Sequence, residues 1–424
     1  MKRGLIWSGV AILVLAAAAW WIFKPQVVQL DRTTKLTLLG VEYGRHHKFP
    51  ALKTTTRMRG GPTSFDTTND TLVVWVLQEQ KSVQRYGWQA QIYDRAETAV
   101  VTSWARNIHQ IRQDADVEAI QLDAFPRRDN KFFMRFMSYD SRGEHLSKGH
   151  FVISNPVRGK FFEKWTPDPL PNTQSNGDLA VTLTEFAANA PLPYVRNGTS
   201  KNDPASKCVQ LDFDIQQKRQ AVTNWRPVQV EISDATGNEI TEYINEYRQN
   251  GQREGYFYQW GLWPNEPAWK LRVEMSRTSG FNDDDLWTMQ NIPVRAGNQQ
   301  DVWNYWGNRR NADAAFAETT INGVHVKLFP AIQYTTQNYF NGRNTKVVSV
   351  IFKTNPDAES AGMRMTPLTV TDDQGRTLHN QGASWGGGDY QYEYPASGDI
   401  QSVNVTIALH KSRFVEFAVK PAQP

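Results

Sequence analysis

Glu231-Ile232-Ser233-Asp234-Ala235-Thr236-Gly237 is a strand running into a turn. The alternation of apolar and polar residues has the two-residue period of a half-buried strand. An Asp at a turn accepts hydrogen bonds from the backbone two residues on, and the Gly tolerates positive φ. The same pattern stands at Thr369-Val370-Thr371-Asp372-Asp373-Gln374-Gly375 and, without the glycine, at Gln91-Ile92-Tyr93-Asp94-Arg95-Ala96-Glu97. The three turn aspartates are 140 and 138 residues apart, so the chain reads as an internal repeat.

Other landmarks keep the same order. Opening strands stand at Leu36–Val41, Leu179–Leu183 and Thr320–Val326. A proline followed by an alternating strand stands at Pro126, Pro264 and Pro395, spaced by 138 and 131 residues. Each repeat closes on a short apolar strand: Phe151–Ile153, Met289–Ile292 and Phe417–Val419. The period is too long for a solenoid, so each unit is expected to own its core. The expected fold is all-β: three tandem immunoglobulin-like β-sandwich domains at 31–160, 177–296 and 315–424. Pro-rich and Asn-rich stretches separate them, and 178–296 and 315–424 are expected to fold alone. Helical periodicity is scarce, with candidates only at 241–250 and 98–112.

Ahead of the first unit, Lys2 and Arg3 precede an uncharged run at residues 4–23 that Lys24 closes. About 30 Å of helix would cross a bilayer. Small residues at Ala16–Ala19 suit a cleaved signal peptide, but Trp20, Trp21, Ile22 and Phe23 carry the apolar stretch further. Residues 1–30 therefore read as a short cytoplasmic tail and a single-pass signal anchor, with the body extracytoplasmic. The basic residues on the two sides nearly balance, so this orientation rests on the shortness of the tail.

Composition narrows function mostly by exclusion. A net charge of +4 over 424 residues is too diffuse for nucleic acid. The single Cys208 leaves no intramolecular disulfide or cysteine-rich zinc site. No phosphate-binding or dinucleotide loop occurs, and no cofactor is expected. Gly382-Ala383-Ser384-Trp385-Gly386 matches G-x-S-x-G, but a nucleophile elbow needs a helix behind the serine, and Gly386-Gly387-Gly388 disfavour one. His410 and Asp399 downstream do not change that reading, and no catalytic residue is assigned. His46 and His47 are adjacent and face opposite sides of a strand. His145 and His150 are expected to meet across a hairpin without forming a metal site. Asp283 and Asp285, in Asn282-Asp283-Asp284-Asp285, are a weak calcium candidate in what reads as a solvated turn.

The aromatic cluster is the best candidate for binding. Tyr258, Trp260 and Trp263 lie near Gly255, Gly261 and Pro264, and Trp303 and Trp306 follow in the next linker. Such rings anchor protein partners or stack on sugars, although inter-domain or core packing is the stronger reading for them. The expected function is therefore a non-enzymatic cell-envelope protein that binds or scaffolds another envelope protein. Glycan binding through exposed Trp and Tyr is the alternative, and a hydrolase with an inter-domain active site is the second.

Overall fold

The computed structural model describes residues 26–48, 64–80, 88–94, 101–112, 115–122, 124–140, 143–191, 207–249, 252–257, 262–305, 315–337 and 344–422. Among them the regular secondary structure is almost wholly strand, in several largely antiparallel sheets. No described helix is long and apolar enough to cross a membrane, and the run at 4–23 lies outside the described residues. The stretches read as helical are strands where described: Val101–Arg112, Glu239–Tyr243 and Asn245–Gln249. Each has a neighbouring strand to complete its ladder, and tertiary pairing overrides local propensity.

The first unit folds one eight-stranded path into two layers. Its corner is the Val101–Arg112 strand, whose start pairs with Trp88–Tyr93 and whose remainder pairs with Ala115–Leu122. Leu72, Val74 and Ile120 of one layer meet Ile92, Phe136 and Phe151 of the other in the core. Gln26 ties the ends of the path together. Its amide donates to Val152 O at 2.9 Å and accepts from Val152 N at 2.6 Å, imitating a strand residue.

The second unit faces a sheet containing Leu179–Pro191 and Lys207–Gln217 with one containing Trp225–Asp234 and Trp269–Arg277. Its core is continuous with that of the first unit. At the join, the Asn238 side chain bonds both backbone groups of Phe125, at 3.1 and 3.0 Å, and Arg127 donates to Thr236 O at 2.9 Å. Arg128 donates to the buried Glu266 at 2.8 Å.

Units two and three depart from a tandem order. In unit one the closing strand Gly143–Ser154 pairs with Lys131–Asp140, its own unit's proline-led strand. The equivalent strand of unit two, Leu286–Ala296, instead pairs with Ser402–Lys411 of unit three. In return, Arg413–Val419 pairs with Trp269–Arg277 of unit two. The closing strands are exchanged, so the strand that completes each of these sheets comes from outside the stretches 178–296 and 315–424. The exchange works because the two strands offer the same apolar alternation. Val415, Phe417 and Val419 are buried in unit two, and Met289 and Ile292 in unit three. Each fully buried side chain of this size contributes about 1.5–3 kcal/mol. The Leu286–Ala296 strand also changes layer, since Val294–Ala296 runs parallel to Ala331–Gln333.

The repeated turns agree in detail. Oδ1 of Asp234 accepts from the backbone N of Thr236 and Asn238, and Oδ1 of Asp372 accepts from Gln374 and Arg376. Gly237 and Gly375 follow at φ 88° and 77°, each donating to the carbonyl of its aspartate. These carboxylates are buried, and the backbone satisfies them.

Candidate functional site

The exchange leaves a cleft of about 500 Å³ between units two and three. Unit two supplies its Arg226–Val228 and Tyr243–Asn245 walls. Unit three supplies Arg364–Val370, the segment Thr377–Asn380 and one face of the hairpin Gly382–Gly386/Asp389–Ala396. That hairpin turns through Gly387 and Gly388 at φ 60° and 86°, the left-handed pair of a two-residue turn. Strand alternation then sets Ala383 and Trp385 on the cleft side, with Ser384 on the other face.

Trp385 and Tyr243 meet at the mouth from opposite units. Their ring centroids are 5.2 Å apart at 83°, and Trp385 Nε1 donates to Tyr243 Oη at 3.0 Å. Tyr243 Oη in turn donates to Glu359 Oε2 at 3.3 Å. Behind them lies a nearly dry charge cluster. Arg364 bonds Glu359, reaches Glu274 through Nε at 3.1 Å and again through Nη2, and touches Gln229 at 3.3 Å. Ser412 donates to the same Glu274 carboxylate at 2.5 Å. Burial raises the Glu359 carboxyl above its ordinary value, against the pull of Arg364. Burial opposes the Arg364 charge, but Glu274 and Glu359 outweigh it and hold the guanidinium above its ordinary pKa. Burial likewise raises the Tyr243 hydroxyl. The floor carries Tyr390, Tyr392 and Tyr394, whose hydroxyls burial also raises. The arrangement holds aromatic rings rigidly and spends its buried charges on one another, which suits binding more than proton transfer.

Of the ring residues singled out in the sequence, neither of the two described ones, Trp263 and Trp303, lines this cleft. Tyr258, Trp260 and Trp306 lie outside the described residues. Trp263 is 2% exposed and packs in the shared core, so its ring is not offered to a ligand. Trp303 is 51% exposed at the end of the short helix Gln299–Trp303, whose Val302 covers the outer face of unit three. Asp283 is exposed. Asp285 is buried and accepts from Asn282 N and Nδ2 at 3.1 Å and from Asn322 Nδ2 at 2.9 Å, acting as a cap. Among the described residues no three His, Cys, Asp or Glu side chains cluster as a metal site would require.

The serine motif is a strand, with no helix behind it. His410 is buried and contacts Ser276 Oγ at 3.2 Å, while Asp399 pairs with Lys346 at 2.7 Å. His46 is exposed and bonds Asp66 at 2.6 Å, whereas its neighbour His47 is buried against Phe65. The signal for the cleft was present in Ala383 and Trp385, two residues apart on a glycine-turned hairpin. Their partner Tyr243, 142 residues away, has no sequence cue. No family model, curated protein or solved structure matches the chain.

Proposed function

We propose that the chain is a non-enzymatic cell-envelope protein. A single-pass anchor at residues 4–23 holds immunoglobulin-like sandwiches outside the cytoplasmic membrane, where they bind or scaffold another envelope protein. The observation that carries this reading is stiffness. Units one and two share a core and buried polar joins, and units two and three exchange strands, so the body suits holding a partner at a fixed distance and angle. Trp303, exposed on unit three, is the anchor offered to that partner.

The test places a photocrosslinking amino acid at Trp303 in the full chain in native membranes, after carbonate extraction and protease accessibility have fixed its location. A discrete protein adduct that depends on light and on position 303 is expected. A protein released by carbonate, or one that yields no adduct there, overturns the reading.

A further inference from the structure

Beyond that reading, we propose that the cleft between units two and three is a binding site for a short neutral oligosaccharide. Three observations select this chemistry. First, Trp385 and Tyr243 form a preset aromatic pair. Nε1 of Trp385 is fixed on Tyr243 Oη at 3.0 Å, and Tyr243 is fixed on Glu359, so neither ring must be ordered when a ligand arrives. Tyr243 is exposed and Trp385 half-buried, which leaves ring surface for a sugar to stack on.

Second, short hydroxyl, amide and imidazole groups surround the rings: Thr366, Thr377, Asn245, Asn380 and His379. They supply donors and acceptors in the mixture a polyhydroxylated ring requires. Of the two arginines that line the cleft, the buried Arg364 is committed to Glu274 and Glu359, and Arg226 is exposed to solvent, so the charge nearest the rings is spent within the protein.

Third, the rival ligand for such a cleft, an extended peptide added to a sheet edge, meets a blocked edge. The Met363–Asp372 strand is an edge strand, but it carries Pro367, a register shift between Pro367 and Thr369, and a Met365 carbonyl already taken by Tyr392 Oη at 3.3 Å. Its Val370 carbonyl accepts from Leu378 N at 2.8 Å. Proline, a bulge and spent carbonyls are how an edge refuses a further strand.

The experiment uses the full chain, purified in a detergent without a sugar headgroup. Chitotetraose, maltohexaose and cellohexaose are titrated by calorimetry and by tryptophan fluorescence. At least one should bind saturably with a fluorescence change. Trp385→Ala should weaken binding tenfold or more, and Trp385→Phe should restore part of it. Ala383→Arg removes no contact and fills the cleft, so it should abolish binding at an unchanged melting temperature. Saturable binding that survives both Trp385→Ala and Ala383→Arg overturns the site. Absence of binding by all three sugars at millimolar concentration overturns the proposal. The partner reading does not depend on this result, because its adduct is sought at Trp303.

Discussion

Arg364 gathers Glu274 and Gln229 of unit two and Glu359 of unit three into one buried polar cluster. Its side chain is 10% exposed and faces Glu274 at 8%. Removing one partner of such a cluster leaves the other charges buried and unpaired, which costs about 3–5 kcal/mol. Arg364→Met should therefore lower stability by about that amount, measured by chemical denaturation, and Arg364→Lys should recover little because it cannot form the fork. A loss near zero would show that the cluster is well hydrated in solution. Two other buried groups give the protein pH dependences of opposite sign. Burial holds the His410 imidazole below its ordinary 6.5. Its folded state resists protonation, so stability present at neutral pH is lost as pH falls through 6.5 and below. Glu266 runs the other way. Burial, with Asp234 nearby, pushes its carboxyl from 4.5 up to about 7 in spite of Arg128. Its contribution is full below about 4.5 and is lost as pH rises through about 7. Melting temperatures from pH 5 to 8 should show His410→Gln gaining on wild type at the acid end and Glu266→Gln at the alkaline end. Parallel curves would sink both assignments.

At the scale of single elements, the hairpin that carries Trp385 depends on its turn. A Cβ at Gly388 would stand 2.7 Å from Thr354 O, at a φ of 86°. Left-handed backbone and overpacking together put the cost of Gly388→Ala at about 2–4 kcal/mol. Gly387 has open space and a φ of 60°, so Gly387→Asn should be close to neutral. Equal melting temperatures for the two variants would show that the turn relaxes freely. Elements of this kind were legible in the sequence. Strand alternation, the buried turn aspartates and the prolines before the core strands are local patterns, and local patterns survive any arrangement of their partners. The helical readings at 98–112 and 241–250 failed because the deciding force was a neighbouring strand, which a short window does not contain. Aromatic composition is silent on burial for a related reason. Trp263 and Trp303 are alike in composition, and only the packing around them buries one and exposes the other.

At the scale of the whole molecule, the alternation in the sequence indicates an all-β chain of antiparallel sheets, but it is blind to which sheet receives each closing strand. Leu286–Ala296 and Arg413–Val419 occupy equivalent places in their repeats and bear similar apolar faces, so the pattern reads the same with or without the exchange. Separate fragments distinguish the two arrangements. Residues 178–296 and 315–424, expressed apart, should each lack a cooperative melt, because each is missing the strand that completes its sheet. Mixed, they should form a one-to-one complex with the melt restored, seen by size-exclusion chromatography and calorimetry. Two independently folded, non-associating fragments would show that each closing strand returns to its own unit.

The exchange also imposes a schedule on the growing polypeptide. When Arg277 leaves the ribosome, the strand that will lie beside it in the finished fold begins 136 residues further on, at Arg413. At ~5–20 residues per second that is a wait of about 7 to 27 s. Throughout it the open side of Trp269–Arg277 has a nearer suitor in Leu286–Ala296, made only moments later and patterned for the same role. A local hairpin of these two strands, were it to form first, would have to be surrendered before the observed pairing could be made.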